Sequence, residues 1–186
     1  MPTLKLVGLS GNITSPSKTR KLVETALAIA ATRLDVETDV IEINDFGDQL
    51  GRARRLDDFD GSGRTLVGRI LEADALVIAT PVYKGSYPGL FKHLIDLLDP
   101  QSLLGKPILI AATGGGEKHA LAVEHQLRPL FGFFEAQSLG TAVHVSDKDF
   151  EDGRLTGHAA LARLTRAVAQ FHSLFPQHLR AAEAAE

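Results

Sequence analysis

The sequence predicts an α/β fold: a doubly wound five-stranded parallel sheet with helices on both faces. Two patterns and one compositional feature carry the prediction. Short apolar runs alternate with stretches in which apolar residues recur at a 3.6-residue period. One run, Ala75-Leu76-Val77-Ile78-Ala79-Thr80, is apolar on both faces, as a central parallel strand covered by helices must be. The segments that follow the runs are rich in Gly, Pro, Ser and Thr, the composition of loops.

In chain order, Leu4 to Ser10 reads as the first strand, and the polar segment Gly11 to Thr19 stops it. A helix follows, with Leu22, Val23, Ala26, Leu27 and Ala30 on one face. Val36 to Ile43 alternates apolar and polar residues as a second strand would. Asn44 to Gly63 has five Asp, four Gly and three Arg with little periodicity, so it is expected to be an irregular surface excursion. Leu66 to Ala73 forms a short helix, and Ala75 to Thr80 the third strand. After the loop Pro81 to Pro88, a helix presents Leu90, Leu94, Ile95 and Leu98. The fourth strand is Ile108 to Ala112, and a longer helix runs from Glu117 to Phe134. The fifth strand lies near Thr141 to Val145, and the last helix spans His158 to Phe175. Residues 1–180 are expected to form one domain, with a frayed Ala/Glu tail at 181–186.

Composition narrows the chemistry. The 186 residues include no Cys, which excludes disulfides, thiolate metal sites and cysteine nucleophiles. Electron transfer would therefore depend on a bound cofactor. The 20 Lys and Arg against 23 Asp and Glu, with no basic block, argue against a nucleic-acid partner. No apolar run reaches the roughly 18 residues of a membrane span, and Met1-Pro2-Thr3-Leu4-Lys5 lacks signal-peptide form, so a cytoplasmic location is expected. His119 and His125 stand six apart, which does not align two metal ligands on one helix face, and no metal site is expected.

Ligands of such a sheet bind beyond the carboxyl ends of the strands, where strand order reverses. Three loops meet that rule. Ser10-Gly11-Asn12-Ile13-Thr14-Ser15-Pro16-Ser17-Lys18-Thr19 offers hydroxyls, an ammonium and a helix start, a donor set that suits a phosphate monoester. The plainer reading is an N-cap and a turn. Thr80 to Gly89 holds both tyrosines, two Pro and two Gly, and can pack a flat ring against main chain. Thr113-Gly114-Gly115-Gly116 leaves room for a bulky group at the end of the fourth strand. A P-loop is excluded, because Gly105-Lys106 precedes Pro107 and Pro100 stands where the first Gly belongs. Asn12 breaks the hydrolase elbow pattern, and no Gly-x-Gly-x-x-Gly follows the first strand. Asp57, Asp58 and Asp60 read as a solvated loop rather than an acid–base pair. Lys84 and Lys92 read as surface lysines, with attraction of a nicotinamide phosphate as the alternative.

One helix carries an internal conflict. Pro129 has no N–H to give the carbonyl of His125, so the ladder must deform there as a kink or a π-bulge.

Ser10 to Thr19, Ala79-Thr80-Pro81-Val82-Tyr83-Lys84-Gly85-Ser86-Tyr87-Pro88-Gly89-Leu90-Phe91-Lys92 and Ala112 to Gly116 together resemble the NAD(P)H-dependent FMN reductases of flavodoxin-like fold. The resemblance covers roughly residues 3 to 150 and is strongest to the reductases of two-component alkanesulfonate and methanesulfonate monooxygenase systems. It implies that Ser10, Ser15, Ser17, Lys18 and Thr19 surround the FMN phosphate. It also implies that Pro81, Val82, Tyr83, Lys84, Gly85 and Ser86 contact the isoalloxazine and ribityl chain, with Thr113, Gly114 and Gly115 on the other side of the rings. Many relatives carry Arg where Asn12 stands. In the sulfonate-system reductases an inserted residue, commonly Tyr, forms a π-helix at a tetramer interface near the flavin, and His125 falls at that position. The resemblance thus implies hydride transfer from NAD(P)H to FMN, delivery of reduced FMN to a partner monooxygenase, and a homodimer or homotetramer. The cofactor supplies the chemistry, so no catalytic side chain is assigned and His125 is expected to act as a modulator. Two alternatives share the fold: a quinone or azo reductase that retains FMN, and a flavodoxin-type electron carrier. A net charge of −3 is mild for a flavodoxin.

Overall fold

In a computed structural model that describes residues 3–180, the strands β1 (Leu4–Ser10), β2 (Val36–Glu42), β3 (Ala75–Pro81) and β4 (Pro107–Gly114) form the center of a parallel sheet. The order is β2-β1-β3-β4, with the fifth position beside β4. The fifth strand comes in two pieces, β5 (Gln137–Ser138) and β6 (Val143–Ser146), which both pair parallel with β4. Its expected range was continuous. The break falls at 139–142, where Gly140 interrupts the run, while the N–H of Leu139 still reaches the carbonyl of Ile108 at 2.8 Å. The 181–186 tail lies outside the described residues.

Strand alternation divides the core. On one face Leu6, Val77, Leu109 and Val145 pack against helices α1 (Lys18–Arg33) and α6 (His158–Leu174), through Leu22, Val23, Leu164 and Phe171. On the other face Leu9, Ile78 and Ile110 pack against α3 (Gly61–Glu72), α4 (Gly89–Asp96) and α5 (Arg128–Gly132), through Val67, Ile70, Leu94, Ile95 and Phe131. A Cβ on Gly8 would overlap Val23 Cγ1, so β1 and α1 approach closely only because that position is glycine. This close crossing holds the start of α1 beside the end of β1.

Two expectations need correction. The segment 44–63 is not a surface excursion. It folds into α2 (Asp48–Arg52) and two 3₁₀ turns, and it buries Phe46, Leu50, Ala53 and Phe59, with the Phe46 and Phe59 rings 5.5 Å apart. Its apolar residues are too sparse to show a period but are brought together by the turns. Asp60 caps α3 by accepting from the Gly63 N–H at 2.9 Å, and Asp58 accepts from the Arg54 and Arg55 N–H groups, so neither forms an acid–base pair.

The helix expected from Glu117 to Phe134 is also less regular along its length than a single deformation at His125 requires. A 3₁₀ turn covers Glu117–His119, a π-helix covers Val123–Leu127, and α5 begins at Arg128. The Arg128 N–H bonds the Val123 carbonyl five residues back. Pro129, at the second position of α5, has no N–H for the carbonyl of His125, so the ladder widens where the sequence required it to deform.

Candidate flavin site

Strand order reverses between β1 and β3, and the loops after β1, β3, β4 and β6 converge at their carboxyl ends on a cavity of about 310 Å³. Two larger cavities, about 400 and 600 Å³, are lined by residues such as Lys5, Glu37 and Glu72, and by Ile29, Arg33 and His172. Both lie toward the opposite end of the sheet.

The loop after β1 is organised around Asn12, which is almost fully buried. It accepts from Ser10 Oγ at 2.5 Å and donates from Nδ2 to the Thr14 carbonyl at 2.9 Å and to Glu42 Oε1 at 3.0 Å. Glu42 is in turn paired with Arg20 at 2.8 Å, and hydrogen bonds to Glu24 and Glu42 raise the Arg20 pKa. The carboxylate behind the loop is thereby neutralised. Ser17 caps α1, accepting from the Arg20 N–H at 3.2 Å, so the helix opens toward the cavity with Lys18 and Thr19 in its first turn. The Ser15–Pro16 peptide is cis.

Pro81, at the end of β3, and Val82 and Tyr83 after it form one wall. A two-residue turn follows, in which Tyr83 and Ser86 exchange backbone bonds of 2.7 and 3.2 Å. Lys84 (φ 54°) and Gly85 (φ 91°) both adopt left-handed backbone there. Ser86 Oγ donates to Gln126 Oε1 at 3.0 Å, which fastens this turn to the π-helix one residue from His125.

Thr113, Gly114 and Gly115 supply the floor. A Cβ on Gly114 would sit 3.0 Å from His119 Cβ and 3.1 Å from His144 Nε2, so the backbone there rests against two imidazoles. Burial, reinforced by neighbouring His119, holds the His144 pKa below the ordinary histidine value.

Of the residues expected at a ligand, Ser17, Lys18, Thr19, Pro81, Val82, Tyr83, Thr113, Gly114 and Gly115 line the cavity. Ser10 and Ser15 do not. Ser10 is fully buried with its hydroxyl committed to Asn12, so it shapes the loop from behind. Lys84, Gly85 and Ser86 also fall outside the lining, because the turn carries them away from the wall. His125 is exposed at the center of the π-helix. Lys92 pairs with Asp96 on its own helix. Asn12, Thr14, Pro16 and Asp147 line the cavity without having been assigned to it. The first three interleave with the assigned serines, and Asp147 directly follows β6, where the strand-end rule would have found it. No group of three or more metal-ligating side chains occurs among the described residues.

Comparison with known proteins identifies the family. Residues 4–151 match the family described as NADPH-dependent FMN reductase. The chain is 42% identical over 177 residues to the NADH-dependent FMN reductase SfnF of Pseudomonas fluorescens, covering 95% of each. It is 40% identical over 171 residues to an FMN reductase (NADPH) of Pseudomonas aeruginosa, covering 92% of each. Among solved structures it resembles the apo form of the NADH:FMN oxidoreductase EMOB, with a TM-score of 0.81 and 30% identity over 97% of this chain and 92% of that one. No helix among the described residues is long and apolar enough to cross a membrane. The chain belongs to the NADPH-dependent FMN reductase family and is an oxidoreductase that works with FMN and NAD(P)H.

Proposed function

We propose that the cavity at the β1/β3 switch point binds FMN, which is reduced there by NAD(P)H and released to a monooxygenase of a sulfonate-utilisation system. One observation carries the placement: a cation at a helix start and a side-chain-free floor face the same cavity, Lys18 at one end and Gly114–Gly115 at the other. A phosphate needs the first, through ion pairing and the helix dipole. A flat ring system needs the second. At about 310 Å³ the open cavity falls at the lower end of the range usual for small-molecule sites.

When bound, FMN supplies the hydride-accepting chemistry, and the chain supplies position. The α1 start and Lys18 orient the phosphate, Pro81 to Tyr83 flank the rings, and Asn12 keeps the first loop in shape. The delivery role draws support from the sulfonate-system names of relatives such as SfnF and SfnE. We place the reaction in the cytoplasm, where nicotinamide cofactors are regenerated, and in a homodimer or homotetramer. The assembly is supported by exposed Leu90, Leu121 and Phe133 on the π-helix side of the sheet.

Anaerobic titration with NADH and with NADPH in the presence of FMN tests the reading. The visible band of oxidised flavin should bleach, and free FMN should turn over faster than a quinone. Bleaching confined to quinone turnover with retained flavin would favour the quinone-reductase alternative.

A further inference from the structure

Among the residues lining the cavity, Lys18 is the one cation and Asp147 the one anion, and they are paired with each other. Lys18 Nζ lies 2.7 Å from Asp147 Oδ1, a contact that joins the first residue of α1 to the first residue after β6. The other carboxylate oxygen, Oδ2, is 3.7 Å from the position a Cβ on Gly115 would take. One carboxylate therefore spans from the phosphate-end cation to the glycine floor. The Lys18 ammonium also lies 5.7 Å from the Phe150 ring centroid.

We propose that Asp147 sets the affinity for FMN: its carboxylate competes with the flavin phosphate for Lys18, and so keeps FMN a passing ligand rather than a retained group. This rests on the assignment of the cavity to FMN given above. A phosphomonoester carries about −1.5 to −2 charge near neutral pH and takes its ion pair from Lys18. Lys18 must then leave Asp147, and the displaced carboxylate stays near a second anion. Both effects oppose binding and favour release. The pair remains exchangeable because its side chains are 46% and 61% exposed, so the competition is modest: it tunes FMN affinity without blocking binding.

Asp147 is not needed to hold its own turn. The turn is fastened by Asp149, which accepts from the Ser146 N–H at 2.8 Å and from Ser146 Oγ at 2.7 Å, and by the Lys148–Glu117 ion pair. Removing the Asp147 charge should therefore leave the fold intact.

The test compares the full-length wild type with Asp147→Asn and Asp147→Ala, titrated with FMN and with riboflavin, which lacks the phosphate. Both variants should bind FMN roughly two- to fivefold more tightly, mainly through slower release, with riboflavin affinity unchanged and Tm lowered by no more than about 4 °C. Unchanged or weaker FMN binding would overturn the proposal, as would equal tightening of riboflavin. Failure of the wild type to bind either flavin would instead remove the assignment of the cavity itself, and this proposal with it. Lys18→Met serves as a control on the phosphate end and should weaken FMN while sparing riboflavin.

Discussion

The hydroxyls of Thr19, in the first turn of α1, and Thr113, near the end of β4, lie 2.6 Å apart and are both buried. They join the two sides of the cavity, bridging residues 94 apart in sequence. One hydroxyl donates to the other, which leaves a single O–H proton between the two for a further acceptor. Two side chains that look like independent ligand donors in the sequence are thus one coupled unit.

Thr113→Val should cost roughly 1–2 kcal/mol, because it leaves the buried Thr19 hydroxyl without its partner. Thr19→Val should behave alike. The double variant should lose less than the sum of the two single losses, since it removes both polar groups together. Urea unfolding of the four proteins measures this, and strict additivity would mean that the hydroxyls are not coupled.

Neighbouring glycines should separate stability from binding. Gly114→Ala pushes a Cβ to within 3.0–3.3 Å of His119 and His144, so it should destabilise by about 1 kcal/mol and loosen the floor. Gly115→Ala meets only Asp147 Oδ2, at 3.7 Å, so its stability should stay within about 0.5 kcal/mol. Its added methyl projects near the cavity, and FMN affinity should fall. Thermal melts and flavin titrations on both proteins distinguish the two effects.

His125→Ala should leave the fold unchanged, since the side chain is exposed, and should alter flavin affinity or assembly through the π-helix. The route is physical: Gln126, next in the π-helix, accepts the Ser86 hydroxyl and so touches the turn after β3. Sedimentation velocity and flavin titration give the answer. If neither moves, His125 has no modulating role.

Acidification should destabilise the protein through two histidines. Burial, aided by His119, lowers the pKa of His144; burial, aided by Arg33, lowers that of His172. Asp149 and Glu117 near His144 oppose that shift without reversing it. The Nε2 atoms of both rings are buried with no hydrogen-bond partner among the described residues. Because the fold disfavours the protonated rings, the unfolded chain takes up protons first as pH drops below about 6.5. Stability is then full well above that value and declines as pH falls through it toward the lower folded-state pKa. Melting temperature should fall between about pH 7.5 and about pH 5.5, a window above the titration of the carboxylates. His144→Gln and His172→Gln should each flatten the profile, and identical slopes in all three proteins would refute the assignment.

Much of the fold was legible because burial on two faces leaves a plain signature. The run Ala75 to Thr80 and the 3.6-residue spacing of Leu22, Val23, Ala26, Leu27 and Ala30 mark a covered strand and its helix without further information. The position of the helix defect was legible for a different reason: Pro129 withholds a donor wherever it sits, so the defect is local, while whether it takes the form of a kink or a π-helix is not. Phe46 and Phe59 escaped notice because they reach the core through turns, and turns have no period.

The sequence by itself determined the layered α/β architecture, the loops that line the candidate site, the membership of the FMN reductase family and the site of the helix defect. Each depends on local pattern or on the chemistry of single residues. Tertiary structure alone decided which polar groups in those loops face the cavity. Ser10 turns to Asn12, Thr19 meets Thr113, and Lys18 finds Asp147 at a separation of 129 residues. A hydroxyl or an ammonium looks equally available wherever it is written. What it can bind depends on the partner that folding has already placed beside it.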